Sequence, residues 1–128
     1  MIEKKGLNGK VIVKGHTEEI NSVLSAMDVF VLPSEREGFS RVLLEAMACS
    51  LPIAATGVGG NAEAIEDGTS GILVDYGDIR QLRTAVETFL EDPQKARLMG
   101  EEARKRAEDL FSMDKHVRDI QELYERLI

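Results

Sequence analysis

The sequence predicts an α/β fold, in which a three-layer parallel sheet of about four strands carries helices on both faces and is followed by a C-terminal helical segment. Two observations point to it. Short apolar runs alternate with amphipathic stretches over the first part of the chain, and helical periodicity continues from residue 78 to the end. The length of 128 residues suits one domain, and a hydrophobic content of 43% suffices for a core.

Four apolar runs are predicted to be strands: 10–15, 28–34, 51–56 and 72–74. The second run is continuously apolar, which is typical of a strand that is covered on both faces. Since these runs alternate with helical stretches, the connections are expected to be right-handed crossovers in a Rossmann-like sheet.

Helical periodicity predicts the segments 17–27, 40–49, 62–66, 79–90, 93–110 and 113–127. Thr17 is expected to cap the first helix, and Pro93 begins another at a position where its missing N–H costs nothing. The last segment carries an apolar stripe of Val117, Ile120, Leu123, Tyr124 and Leu127. Such a stripe predicts a surface for a partner or a second copy.

Composition narrows the function classes. The net charge of −7 argues against general nucleic-acid binding, which needs a basic footprint. No apolar run is long enough for a membrane span or a secretory signal. The single cysteine, Cys49, excludes an internal disulfide and favours a cytoplasmic location. No His, Cys or Asp cluster has metal-ligand spacing, so no metal site is expected.

Polar and glycine residues follow each predicted strand, at 15–17, 34–38, 56–60 and 75–77. Parallel strands present their carboxyl ends at one edge, where α/β sheets bind ligands. Glu37 and Glu45 flank the start of the helix at 40–49, and carboxylates accept paired hydroxyl groups well. A polyhydroxylated ligand could lie across that helix N-terminus, between the two carboxylates. The alternative is that Glu37 caps the helix and Glu45 meets a core arginine.

Three motifs occur in order: Pro-Ser-x-x-Glu-Gly-Phe-Ser at 33–40, Leu-Glu-Ala-Met-Ala-Cys-Ser-Leu-Pro-Ile-Ala-Ala-Thr at 44–56, and Val-Gly-Gly-Asn-Ala-Glu-Ala-Ile-Glu-Asp-Gly at 58–68. With this order and spacing, the chain resembles the retaining glycosyltransferases of family 4, also called group 1, which have the two-domain GT-B architecture. The resemblance runs from about residue 11 to the C-terminus. It implies a donor substrate that is a nucleotide diphosphate sugar, and no cofactor or bound metal.

The resemblance also implies roles for individual residues. Glu37 is the only candidate catalytic residue, and its role would be to orient the transferred sugar. Glu45 would hold the ribose hydroxyls. The other expected ligand contacts are Gly38, Phe39 and Ser40 toward the sugar, Gly59 and Gly60 toward the diphosphate or the sugar, and His16 and Thr17 toward the base. Ser40 replaces the family's usual glycine and could crowd the loop slightly; Ala62 replaces a common proline.

The resemblance further implies that residues 1–128 form a single partial GT-B C-terminal domain, without the N-terminal acceptor domain and the first two strand–helix units. We therefore expect no transferase activity from the chain alone. The strand at 10–15 is expected either to pair with 28–34 or to leave an exposed edge through which two chains form a homodimer. The alternative function is a non-catalytic module that acts through its last helix. A Rossmann dehydrogenase is disfavoured, because residues 57–60 do not form G-x-G-x-x-G.

Overall fold

The computed structural model describes residues 1–128 and contains a parallel three-stranded sheet in the order β1-β2-β3. The strands are β1 (Phe30–Leu32), β2 (Ile53–Thr56) and β3 (Ile72–Val74). Phe30 lies opposite Ile53, and Ala54 lies opposite Ile72. The predicted α/β class is confirmed, and the strands at 28–34, 51–56 and 72–74 are present with shorter bounds.

The sheet is combined with six α-helices. They are α1 (Ile20–Ser25), α2 (Arg41–Ala48), α3 (Asn61–Ala64), α4 (Ile79–Glu91), α5 (Pro93–Phe111) and α6 (Met113–Leu127), and a 3-10 turn spans Glu3–Lys5. The long helices begin at side-chain caps: Asp78 accepts from the amides of Arg80 and Gln81, Asp92 from that of Lys95, and Ser112 from that of Lys115. None of these helices has the length and apolarity that a membrane span requires.

Apolar side chains form a core on both faces of the sheet. One cluster contains Leu24, Leu43, Met47, Ile53, Ile65 and Ala103. The other contains Ala54, Val74, Ala85, Phe89 and Met99. Ile53 and Ala54 enter opposite clusters because successive side chains of a strand point to opposite faces. Helix α5 contributes to both clusters and so supports the whole sheet.

The predicted strand at 10–15 is absent, which corrects the expected number of strands from about four to three. Val11, Ile12 and Val13 are exposed, and the amide of Val11 donates only to the nearby carbonyl of Leu7. The expected pairing with 28–34 is therefore wrong, since β1 pairs only with β2. A β-branched run does not form a strand without a hydrogen-bonding partner.

Two predicted helix boundaries also need correction. Helix α1 begins at Ile20, its N-cap position is Glu19 without a side-chain cap, and Thr17 Oγ1 accepts a hydrogen bond from the amide of Glu19 at 3.1 Å instead. Helix α3 spans Asn61–Ala64 rather than 62–66. It stops there because Ile65 is extended and Ser70 Oγ accepts from the amide of Glu66.

Candidate functional site

Two loops meet at the carboxyl ends of the strands, and they form the candidate site. The acidic loop (residues 34–39) follows β1, and the glycine loop (residues 57–60) follows β2. The amide of Gly60 donates to the carbonyl of Gly38 at 2.6 Å. A Cβ atom at Gly59 would overlap the carbonyl oxygen of Glu37, and one at Gly60 would overlap that of Gly38. The two backbones are therefore in direct contact, which only glycine permits here.

The loops present a set of backbone N–H groups that donate no hydrogen bond within the protein. They belong to Gly38, Phe39, Ser40, Val58 and Gly59. The first three precede α2, whose N-terminus adds a partial positive charge. Free amides in this arrangement favour an anion or an oxygen-rich ligand.

Glu37 lies half-buried in the acidic loop with one oxygen engaged. Ser34 Oγ donates to its Oε1 at 2.6 Å, and Oε2 has no partner in the protein. Glu37 does not cap α2, because the cap is Ser40, whose Oγ accepts from the amide of Leu43 at 3.4 Å. Ser40 is buried and has φ −73°, so its side chain serves the helix and the position does not require glycine.

Glu45 lies in the second half of α2 and is also partly exposed. Its Oε1 is 3.6 Å from Nε of Arg41, whose side chain is 92% exposed. The partner is therefore a surface arginine, not the core arginine that was considered as an alternative. Exposed pairs one turn apart contribute little stability, so this contact leaves Glu45 available to a ligand.

Two further residues, Thr56 and Asn61, hold the loops in place, and the sequence analysis did not predict these roles. Thr56, at the end of β2, donates through Oγ1 to the carbonyl of Ser34 at 2.6 Å. Asn61 is fully buried and donates through Nδ2 to the carbonyl of Thr56 at 3.1 Å, while its Oδ1 has no partner. The signal available in the sequence was a polar residue at the end of each predicted strand, Ser34 in 28–34 and Thr56 in 51–56.

Helix α5 supports the rim of the candidate site, which consists of the acidic loop, the glycine loop and the start of α2. The Phe39 ring, 45% exposed, lies 5.1 Å from the Phe111 ring at a tilt of 55°. Arg106 donates to the carbonyl of Ala64 at 2.8 Å and to that of Glu63 at 3.1 Å. It thereby satisfies carbonyl groups of α3, which follows the glycine loop. No local pattern in the sequence indicates either contact.

His16 and Thr17 are not joined to the two loops by any hydrogen bond. His16 is exposed, and the Thr17 hydroxyl bonds within its own segment. Their predicted contact with the base of a nucleotide remains a prediction. No group of three or more His, Cys, Asp or Glu side chains is placed to hold a metal ion. Away from the site, hydrogen bonds to Glu87 and Glu108 raise the pKa of Arg83 and Arg104, on α4 and α5.

A parallel sheet whose strand ends carry a glycine loop, free amides and a half-engaged carboxylate defines an α/β domain of the class that binds phosphorylated or polyhydroxylated ligands. Comparison with known protein families identifies the family to which this domain belongs. Residues 1–106 match the family described as glycosyl transferases group 1, and the chain belongs to that family.

Similar proteins agree with this assignment. N-acetyl-alpha-D-glucosaminyl L-malate synthase of Bacillus anthracis is 33% identical over 97% of this chain and 32% of its own length. The capsular polysaccharide biosynthesis glycosyltransferase CapM of Staphylococcus aureus is 31% identical over 91% of this chain and 31% of its own. Anabaena HepE, solved in complex with UDP, superposes with a TM-score of 0.93 at 30% identity over 98% of this chain and 35% of its own. The chain thus spans about a third of the length of these relatives.

Proposed function

We propose that this chain is the donor-binding part of a retaining glycosyltransferase of family 4, which moves a sugar from a nucleotide diphosphate sugar to an acceptor. The observation that carries the proposal is the contact between the acidic and glycine loops, which packs the glycine loop against the backbone of Glu37 and Gly38 and brings the free amides of both loops together. HepE, a similar structure, was solved with UDP and also with UDP-glucose.

Each part of the rim has a chemical role in this proposal. The unbonded Oε2 of Glu37 would accept from a hydroxyl group of the transferred sugar, and Glu45 would accept from the ribose hydroxyls. The free amides of the glycine loop, together with the α2 N-terminus, would stabilise the negative charge that develops on the departing diphosphate. The proposal assigns no covalent nucleophile and no cofactor.

The acceptor, in this proposal, is held by parts of the enzyme outside these 128 residues. Transfer requires donor and acceptor in near-attack geometry, so we expect the chain alone to release no transferred sugar in a coupled assay. Support comes from the chain's span of about a third of its relatives. We propose a cytoplasmic location, which the single cysteine supports.

The decisive experiment is an amide NMR titration with UDP-glucose, UDP-N-acetylglucosamine, GDP-mannose and ADP-glucose. We expect one of them to shift the amide signals of the acidic and glycine loops. Glu45→Ala should weaken that binding about tenfold, since a charged hydrogen-bond acceptor is lost. Glu87→Ala is the matched control, because Glu87 forms the same kind of pair with Arg83, one turn away on α4. No shift in either loop at millimolar ligand would contradict the proposal.

A second candidate function is association through α6, either as a homodimer or with another partner. Helix α6 buries none of its residues, and Val117, Ile120, Leu123, Tyr124 and Leu127 are all exposed. An unburied apolar stripe favours a docking surface. Sedimentation should then show a dimer that Ile120→Asp dissociates, whereas a monomer at every concentration speaks against self-association.

A further inference from the structure

We infer that Ser34 and Thr56 are positioning residues, which set the direction of the Glu37 carboxylate and thereby act on the donor sugar without touching it. This inference rests on the proposed role of Glu37 toward the sugar. In this inference, Thr56 acts on Ser34 and Ser34 acts on Glu37, and each of these contacts is a hydrogen bond in the structure.

The first link joins Ser34 to Glu37. The distance of 2.6 Å between Ser34 Oγ and Glu37 Oε1 is that of a charge-assisted O–H···O⁻ bond, which is stronger than a neutral one. A hydroxyl has a single proton to donate. Since Ser34 gives it to Oε1, the carboxylate is held at one oxygen, and Oε2 is left without a partner in the protein.

The second link joins Thr56 to Ser34. Thr56 Oγ1 lies 2.6 Å from the carbonyl oxygen of Ser34 and 3.4 Å from that of Leu32. Its one proton therefore goes to Ser34. Thr56 is buried and paired with Val74 in the sheet, so it is a fixed point. The bond ties the beginning of the acidic loop, just after β1, to the end of the neighbouring strand.

The third link closes a ring around the two loops. Asn61 Nδ2 donates to the carbonyl of Thr56, across the glycine loop, and the amide of Gly60 donates to the carbonyl of Gly38. The path from Glu37 through Ser34, Thr56 and the glycine loop thus returns to the residue next to Glu37. A site held from both sides in this way is preorganised.

These links imply that different residues of the rim act on the nucleotide and on the sugar. Loss of the Ser34 or Thr56 hydroxyl leaves Glu45 and the free amides of Gly38 and Gly59 in place. It removes only what aligns Glu37. The affinity for a nucleotide sugar should therefore fall, whereas the affinity for the nucleotide alone should not.

The test measures Kd for UDP and for UDP-glucose by NMR titration and compares their ratio between variants. Ser34→Ala should raise the ratio of the UDP-glucose Kd to the UDP Kd about tenfold, and Thr56→Val about threefold. Thr56→Ser keeps the hydroxyl and should restore the ratio to within about twofold. Thr88→Val is the matched control, because Thr88 Oγ1 donates to the carbonyl of Thr84 on α4. The UDP Kd should stay within about twofold throughout.

Glu37→Gln separates this inference from the function on which it rests. If the unchanged chain binds UDP-N-acetylglucosamine, GDP-mannose or ADP-glucose rather than UDP-glucose, the same ratio is measured with that ligand and its nucleoside diphosphate. If it binds none of the four, the proposed function fails and the inference fails with it. If Glu37→Gln leaves the ratio unaltered, the proposed role of Glu37 fails, and the inference fails with it. If Glu37→Gln raises the ratio but Ser34→Ala and Thr56→Val do not, the inference alone is overturned. Equal weakening of UDP and UDP-glucose also overturns it, because the hydroxyls would then only support the fold. Should Thr56→Val not fold, the ratio for Ser34→Ala decides.

Discussion

Two apolar segments of this chain each contain an isoleucine, but one forms a buried strand and the other forms no strand. Residues 11–13 are Val-Ile-Val, and β2 begins with Ile53 and Ala54. Ile53 is 0% exposed and lies between two paired strands, whereas Ile12 is 81% exposed in a segment without regular structure. The residue type is the same, so the difference comes from the surroundings.

The comparison shows that an apolar segment forms a strand only when a neighbouring strand is present to pair with it. Buried peptide groups need partners, and β2 finds them in β1 on one side and β3 on the other. The segment at 11–13 has no such partner, and β1 takes none on its outer side. Strong β propensity therefore yields no strand when hydrogen bonds and a face to bury are both missing.

The largest expected effect comes from truncating the same residue in both segments. Ile53→Ala leaves a cavity in the buried cluster and should lower the free energy of unfolding by about 2–5 kcal/mol. Ile12→Ala removes an exposed side chain and should change it by less than about 0.5 kcal/mol. Urea unfolding followed by circular dichroism measures both.

Equal losses for the two variants would break the comparison. A loss at Ile12 above about 1 kcal/mol would mean that residues 11–13 are buried in solution, for instance between two copies of the chain. Repeating the Ile12→Ala measurement at several protein concentrations identifies that case, because the stability of a dimer depends on concentration.

The sequence was sufficient wherever local signals decide the structure. Pro93 and the apolar periodicity place α4, α5 and α6 to within a residue or two. The buried strands were found because their runs are continuously apolar. The prediction of a strand at 10–15 was wrong because strand formation there requires a second strand to pair with, and the local sequence does not show whether one is present.

The same distinction applies to the candidate site. Glu37, Gly59 and Gly60 could be selected from motifs, and the structure brings them into one rim. The hydrogen bond between Thr56 and Ser34 could not be predicted from a motif, because it joins residues 22 positions apart that only the pairing of two strands brings together. Likewise, Phe111 reaches Phe39 only because α5 folds back along the sheet.

The second largest expected effect is the loss of stability when glycines are replaced by alanine. It compares a glycine in tight backbone contact with glycines that have free space around them. Gly60→Ala places a methyl group against the carbonyl of Gly38 and should cost about 1–3 kcal/mol of unfolding free energy. Gly57→Ala, in the same loop, meets only ordinary contacts, and Gly15→Ala, in the N-terminal segment, meets nothing within 4 Å. Thermal unfolding should therefore separate Gly60→Ala from both controls; three equal melting temperatures would show that the two loops are not in contact.

The smallest effect distinguishes a helix cap that the structure shows, Asp78, from one that the sequence predicted, Thr17. Asp78 accepts from two amides at the start of α4, at 3.0 Å each, so Asp78→Ala should lower the free energy of unfolding by about 1 kcal/mol. Thr17 was expected to cap in the same way, but its hydroxyl accepts from Glu19, ahead of α1. Thr17→Ala should then cost at most about 0.5 kcal/mol, as a surface substitution does. If urea unfolding gave Thr17→Ala the larger cost, the N-terminal segment would be as tightly organised as the sheet, and the contrast between Ile12 and Ile53 would lose its explanation.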